Sequence, residues 1–364
     1  MTIPQDMIRP EIAGLPAYNA GLALDRFRDT YGIDCLAKLD SNENSHGASP
    51  HAVAAIELAA ASVASYPDAV SLRLRRQIGA ALDLPAERIV MGNGSEDLIG
   101  AIYRAVLRPG DHVVTICPSF GLHEFGALAC GATVEKLQFH DDWSFPVPKI
   151  VEALTRKPRV LIFSSPSNPA GPAISAAEFD QVVAALPPET LFVFDEAYVE
   201  FLSPEQLFDA PARLGATGHP WISLRTFSKA YGLAGLRVGY GLCSHPELAA
   251  ALMKTRNPFA VNAIATVAAS AAFADTEHLD RSVNAIVTER ERVAGAMKQA
   301  GFTVAPSQTN FLFFDCKRSG AEFAEALRHK GILVKGWLEP PFLNWARVTI
   351  GTPEENDAFL LALP

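Results

Sequence analysis

Cysteine is scarce and scattered: five in 364 residues, at positions 35, 117, 130, 243 and 316, with no C-x-x-C pair. That spacing argues against a zinc site or a disulfide framework, so no metal is expected and a reducing cytoplasm is the expected compartment. Basic charge is not in excess. The formal net charge is -9, which makes non-specific nucleic-acid binding an unpromising function. The opening Met-Thr-Ile-Pro-Gln-Asp has no basic region followed by an apolar block, so no signal peptide is expected. The Ala-rich stretch at 261–274 is broken by Asn262, Thr266 and Ser270 and reads as a buried or half-buried helix, too short to span a membrane. Internal repeats and low-complexity linkers are missing as well. What remains is an ordinary globular composition, 49% hydrophobic and 20% charged. The length is too great for one ordinary core, so two domains are expected.

The most informative stretch is Thr226-Phe227-Ser228-Lys229-Ala230-Tyr231-Gly232-Leu233-Ala234-Gly235-Leu236-Arg237-Val238-Gly239-Tyr240. Serine, threonine and arginine are the groups that a dianionic phosphate seeks from a protein. A lysine among them can form a Schiff base with an aldehyde. Aldehyde and phosphate on one molecule suggest pyridoxal 5′-phosphate. An isolated Ser-Lys pair would be a basic surface turn, but the whole run is far more specific. A second anion site is expected where the short strand at 88–91 runs into Gly92-Asn93-Gly94-Ser95-Glu96-Asp97 and then a helix. Backbone N–H groups and the helix dipole favour a negative ligand there. The spacing is not G-x-G-x-x-G, so a dinucleotide fold is the weaker reading. Three further apolar strands end in polar groups: 111–116 before Cys117-Pro118-Ser119-Phe120, 160–163 before Ser164-Ser165-Pro166-Ser167-Asn168-Pro169-Ala170-Gly171, and 191–194 before Asp195-Glu196-Ala197-Tyr198. An acid at the end of a buried strand is costly unless a cation pairs with it, and a protonated pyridine nitrogen is such a partner. Taken singly, N-P-x-G is a turn signal, D-E-A-Y a helix start and Phe120 a core ring.

The Lys229 run resembles the lysine motif of fold-type I aminotransferases, and most closely that of the histidinol-phosphate aminotransferase family; the resemblance covers nearly the whole chain. It implies roles that the residues alone do not. Lys229, Asp195 and Tyr198 would be catalytic, with Lys229 holding the cofactor and moving the α-proton, and Asp195 pairing with the pyridine nitrogen. Asn168 and Tyr198 would bond the phenolic oxygen, and Phe120 would stack on the ring. Gly94, Ser95 and Glu96 would form the phosphate loop, with Thr226, Ser228 and Arg237 as further anchors. Tyr66, in Tyr66-Pro67-Asp68, would reach the cofactor phosphate of a second subunit, which implies a homodimer with shared sites. Tyr18, in the N-terminal arm, and Asn44, in Leu39-Asp40-Ser41-Asn42-Glu43-Asn44, would lie at the substrate. Arg347 would bind the substrate anion. Lys335 stands where these enzymes usually carry a second arginine. Lysine keeps the charge but loses the planar fork that grips phosphate or carboxylate.

The fold expected is α/β. Repeated strand–loop–helix units over 45–256 argue a mainly parallel sheet sandwiched by helices. Residues 1–44 and 257–364 would form the N-terminal arm and a smaller α/β domain, its sheet built from 301–304, 309–314, 331–334 and 347–351. The implied activity is transfer of an amino group from histidinol phosphate to 2-oxoglutarate. An aromatic donor such as phenylalanine is the runner-up, and a threonine-phosphate-type decarboxylase shares nearly all the motifs. A transcription regulator with an aminotransferase-like domain would need a DNA-binding domain ahead of the fold, and this chain enters the fold almost directly.

Overall fold

The structure is a computed structural model and describes residues 7–17 and 19–364. Its strands, in chain order, are β1 (Ala37–Lys38), β2 (Ile89–Gly92), β3 (His112–Cys117), β4 (Thr133–Gln138), β5 (Val160–Ser164), β6 (Leu191–Asp195), β7 (Trp221–Thr226), β8 (Gly239–Cys243), β9 (Thr303–Val304), β10 (Phe311–Asp315), β11 (Ile332–Leu333), β12 (Lys335–Gly336) and β13 (Trp345–Thr349).

The main sheet has seven strands in the order β2-β8-β7-β6-β5-β3-β4. All its pairings are parallel except those of β8 with β2 and β7. The central strands β5 and β6 are buried at every residue. Their unbroken apolar runs follow from that: a parallel sheet covered by helices on both faces has no solvent side to mark with alternating polar residues. The edge strand β4, by contrast, mixes exposed and buried positions. β4 and β5 lie on opposite sides of β3, so the strand order reverses there. Such a reversal opens a crevice at the carboxyl ends of the strands. The loops after β3, β5 and β7 carry Ser119, Asn168 and Lys229, β6 ends on Asp195, and all four residues line one cavity.

The second sheet is four-stranded and antiparallel, β12-β13-β10-β9. Here the expectation needs correction. The 331–334 run does not join that sheet. Ile332–Leu333 pairs in parallel with Ala37–Lys38 in a two-stranded sheet of its own, and the chain then crosses over so that Lys335–Gly336 pairs with β13. The cause is tertiary: Gly331 (φ 81°) packs against Asp34 and Leu36, which lays the run alongside the N-terminal segment. The helix Ala263–Ala274 packs on the helices Pro50–Ala59 and Leu72–Ala81, beside the main sheet. No helix among the described residues is long and apolar enough to cross a membrane.

Candidate active site

The cavity measures about 730 Å³ and is walled by the seven-stranded and four-stranded sheets and by Pro16, Ala17, Asn19, Ala20 and Gly21 of the N-terminal arm. That volume suits a cofactor together with a small substrate.

Its phosphate-sized end is built on β7, β8 and the helix Gly94–Val106. The helix starts without a side-chain cap from Asn93, so first-turn amides remain available. Gly239 of β8 lies directly beneath. A Cβ there would meet Ser95 N at 2.5 Å, Gly94 C at 2.8 Å and Arg225 O at 2.9 Å, all backbone, so only glycine permits this approach. Thr226 Oγ1 donates to Ser228 Oγ at 3.1 Å and accepts from the Ser228 N–H at 3.1 Å. Arg237, at φ 57°, reaches back to Ser228 Oγ at 3.4 Å and to Glu96 Oε2 at 3.5 Å. A Cβ on Gly94 would stand 2.5 Å from Arg237 Nη2. Helix amides, two hydroxyls and a guanidinium thus converge on one spot, a donor set that fits a phosphate.

Lys229 lies deeper. Its Nζ donates to Ser41 O at 3.3 Å and sits 5.9 Å from the centre of the Tyr198 ring. Burial, with the neighbouring positive charge of Arg347, pulls its pKa down to about 7, and the Glu43 carboxylate opposes only part of that. At neutral pH a large share of this amine is unprotonated, the form that attacks a carbonyl or accepts a proton.

Asp195 is 5% exposed at the end of β6. Its Oδ1 accepts from the Ala197 N–H at 3.1 Å. Its Oδ2 lies 3.3 Å from His123 Nε2, and His123 Nδ1 lies 2.9 Å from Ser119 Oγ. With the carboxylate ionised, Nε2 carries the proton and Nδ1 accepts from the Ser119 hydroxyl. His123, fully buried, went unnoticed in the sequence. Its signal was present: it stands four residues after Ser119, at the start of the helix that follows β3.

Asn168, Tyr198 and Arg347 also line the cavity. Arg347 Nη1 donates to Asn168 Oδ1 at 2.7 Å and Nη2 to Asp40 O at 3.0 Å. Asn42 Nδ2 donates to Tyr198 OH at 2.8 Å. Asn42 takes a left-handed φ of 54°, which asparagine tolerates well, and so turns into the cavity. Asn44, two residues on, is not part of the lining. Its amide donates to Ala230 O and Ser282 Oγ, both at 2.9 Å, and so ties three segments together. Lys335 donates to Asn19 O, and burial together with Arg347 lowers its pKa to about 8. Phe120 lines the cavity edge-on to His123, with ring centres 5.8 Å apart. Tyr66 is 84% exposed, stacks on Phe259 and lies outside this cavity. Tyr18 falls outside the described residues.

The donor set fits pyridoxal phosphate: a phosphate cradle, an amine of lowered pKa for the aldehyde, a buried carboxylate for a ring nitrogen, and amide and phenol groups for the ring oxygen.

Comparison with known proteins agrees with this geometry. Residues 36–363 match the family described as aminotransferase class I and II. The chain is 45% identical over 363 residues to histidinol-phosphate aminotransferase 3 of Rhizobium meliloti, covering 100% of this chain and 98% of that one. It is 43% identical to histidinol-phosphate aminotransferase 1 of Mesorhizobium japonicum, with 100% and 99% covered. Among solved structures, histidinol-phosphate aminotransferase from Sinorhizobium meliloti in complex with pyridoxal-5′-phosphate superposes with a TM-score of 0.90 at 29% identity, covering 100% of this chain and 98% of that one.

Proposed function

The chain belongs to the class I and II aminotransferases, and from that premise we propose that it is a pyridoxal-phosphate enzyme transferring the amino group of histidinol phosphate to 2-oxoglutarate in histidine biosynthesis. The observation that carries the chemistry is the junction, in one cavity, of Lys229, Asp195 and the Thr226–Ser228–Arg237 cradle. The donor rests on the two relatives named for it and on the cations Lys335 and Arg347, which line the cavity and carry the charge that a substrate anion needs.

Pyridoxal phosphate supplies a ring that draws electrons from the substrate's α-carbon when its nitrogen is protonated. Asp195 holds that proton through its charge, and His123 orients the carboxylate. Lys229 Nζ would take the proton from the α-carbon and return it two atoms away, on the far side of the amino nitrogen. Asn168 and Tyr198 fix the ring oxygen, and Phe120 holds the ring plane. Thr226, Ser228, Arg237 and the amides of Gly94 and Ser95 hold the phosphate, and the first-turn Glu96 steadies Arg237. Arg347 and Lys335 orient the donor. Tyr66 serves the phosphate of the other subunit in a cytoplasmic homodimer; its exposure and its stacking on Phe259 agree with a partner-facing position. For the division of the chain, the packing of Ala263–Ala274 on large-domain helices favours a change-over in the helix Thr276–Gln299 rather than at residue 256.

A donor panel with 2-oxoglutarate tests the assignment. Histidinol phosphate should exceed phenylalanine in kcat/KM by about tenfold or more, since two cations face its phosphate. Lys335→Arg should keep or raise that preference. If phenylalanine wins in the wild type and the arginine variant leaves histidinol phosphate no better, the donor is wrong and the family assignment alone stands.

A further inference from the structure

The cavity extends past the cofactor end to a cluster that none of the roles above uses. Lys136, on the edge strand β4, bonds Glu124 Oε2 on the helix Gly121–Ala129 and Glu339 Oε1 in the loop after β12, both at 3.1 Å. Glu339 Oε1 also accepts from the Cys117 thiol at 3.3 Å, and its Oε2 from Trp337 Nε1 at 3.4 Å. Against the pull of burial, the two carboxylates keep Lys136 protonated above its ordinary pKa. Burial, with Glu339 beside it, pushes the Cys117 thiol up to about 12, so it donates and does not react. Two carboxylates against one ammonium leave the cluster net negative. An ionised carboxylate accepts about four hydrogen bonds. Among the described residues Glu124 has one such partner and Glu339 three.

A separate observation points to a ligand. Thr115, beside Lys136 in the β3–β4 register, is fully buried and lines the cavity, yet its hydroxyl has no hydrogen-bond partner among the described residues. A buried hydroxyl left unpaired costs about 1–3 kcal/mol, so a polar group arriving nearby is favoured. The cavity is also polarised. Arg237, Lys335 and Arg347 supply positive charge elsewhere along it, and this end supplies acceptors.

We propose that this end is a donor-recognition subsite in which Glu339 and Glu124, braced by Lys136, accept the two N–H hydrogen bonds of a protonated, nitrogen-bearing planar ring of the amino donor beside Trp337. It rests on the histidinol-phosphate reading, whose imidazole is such a ring. A phenyl ring offers no N–H and would leave the carboxylates facing an apolar edge, so this cluster, and not the anion-binding side alone, sets the preference between the two donors.

The test uses purified holoenzyme and the variants Glu339→Gln and Glu124→Gln, which keep shape and remove charge. The readout is the ratio of kcat/KM for histidinol phosphate to that for phenylalanine. A charge-assisted hydrogen bond is about twice as strong as a neutral one, so each variant should lower the ratio about tenfold, chiefly through KM for histidinol phosphate. Calorimetric binding of histidinol, which has the ring but no phosphate, should weaken in parallel. The two glutamates sit on different elements, so if one variant fails to fold the other decides. An unchanged ratio, or an equal fall for both donors, overturns the subsite while leaving the donor assignment intact. A wild-type enzyme that does not turn over histidinol phosphate at all overturns the donor assignment, and the subsite with it.

Discussion

Lys229 shows how much one residue's surroundings decide. Its ordinary pKa of 10.5 falls to about 7 because burial and Arg347 penalise the ammonium more than Glu43 supports it. The sign follows directly. Below pH 7 the amine is protonated and unreactive; above it the amine is neutral and nucleophilic, three units before an ordinary lysine. In the cofactor-free protein, pulse labelling with an acylating reagent read by mass spectrometry should therefore show Lys229 half-maximally reactive near pH 7. Labelling of Lys229 that rises only above pH 9 would contradict the arrangement. That this lysine matters was legible in its neighbours, because hydroxyls, glycines and an arginine all lie within eight residues of it. His123 was not legible in that way. Its partner Asp195 lies 72 residues further on, and nothing in the intervening sequence says that the helix after β3 meets the end of β6.

At the scale of elements, the phosphate cradle depends on a strand and a helix touching backbone to backbone. Gly239 is where they touch. Gly239→Ala would force a methyl group onto the first turn of the helix Gly94–Val106 and displace the amides that face the ligand. The expected outcome is at least tenfold weaker retention of pyridoxal phosphate, followed by absorbance after dialysis, since loss of even one charge-assisted hydrogen bond is worth about 1.5–3 kcal/mol. Wild-type retention in this variant would show that the contact yields without cost. The strands β2, β3, β5 and β6 of the main sheet could be read in advance because burial on both faces writes itself as an apolar run. The pairing of β11 with β1 could not. Two residues on each strand carry no register signal, and the choice of neighbour is made by Gly331 packing on Asp34 and Leu36.

At the scale of the molecule, one exposed aromatic face stands out. Tyr66 is 84% exposed and stacked on Phe259, with Leu58 and Val63 exposed nearby in sequence at 87% and 67%. Apolar surface of this kind marks a contact site. A dimer with shared sites predicts complementation. Lys229→Ala and Tyr66→Ala chains, each defective alone, should recover part of the activity after subunit exchange, because each heterodimer holds one site with its own Lys229 and its partner's intact tyrosine. No recovery after exchange has been verified by mass would refute sharing.

The chemistry of this protein was determined by local sequence: a lysine among hydroxyls, a glycine loop opening a helix, an acid closing a buried strand. Each carries its meaning within a dozen residues, because hydrogen-bonding type and backbone conformation act at that range. Tertiary structure alone decided which polar groups share a cavity. It turned Asn42 inward and gave Asn44 to the scaffold, paired Asn168 with Arg347 across 179 residues, and brought Glu339 to Lys136 across 203. The reason is physical. An asparagine, glutamate or lysine is as well satisfied by water as by a partner, so its sequence context holds no trace of the choice until burial of the apolar strands removes the water.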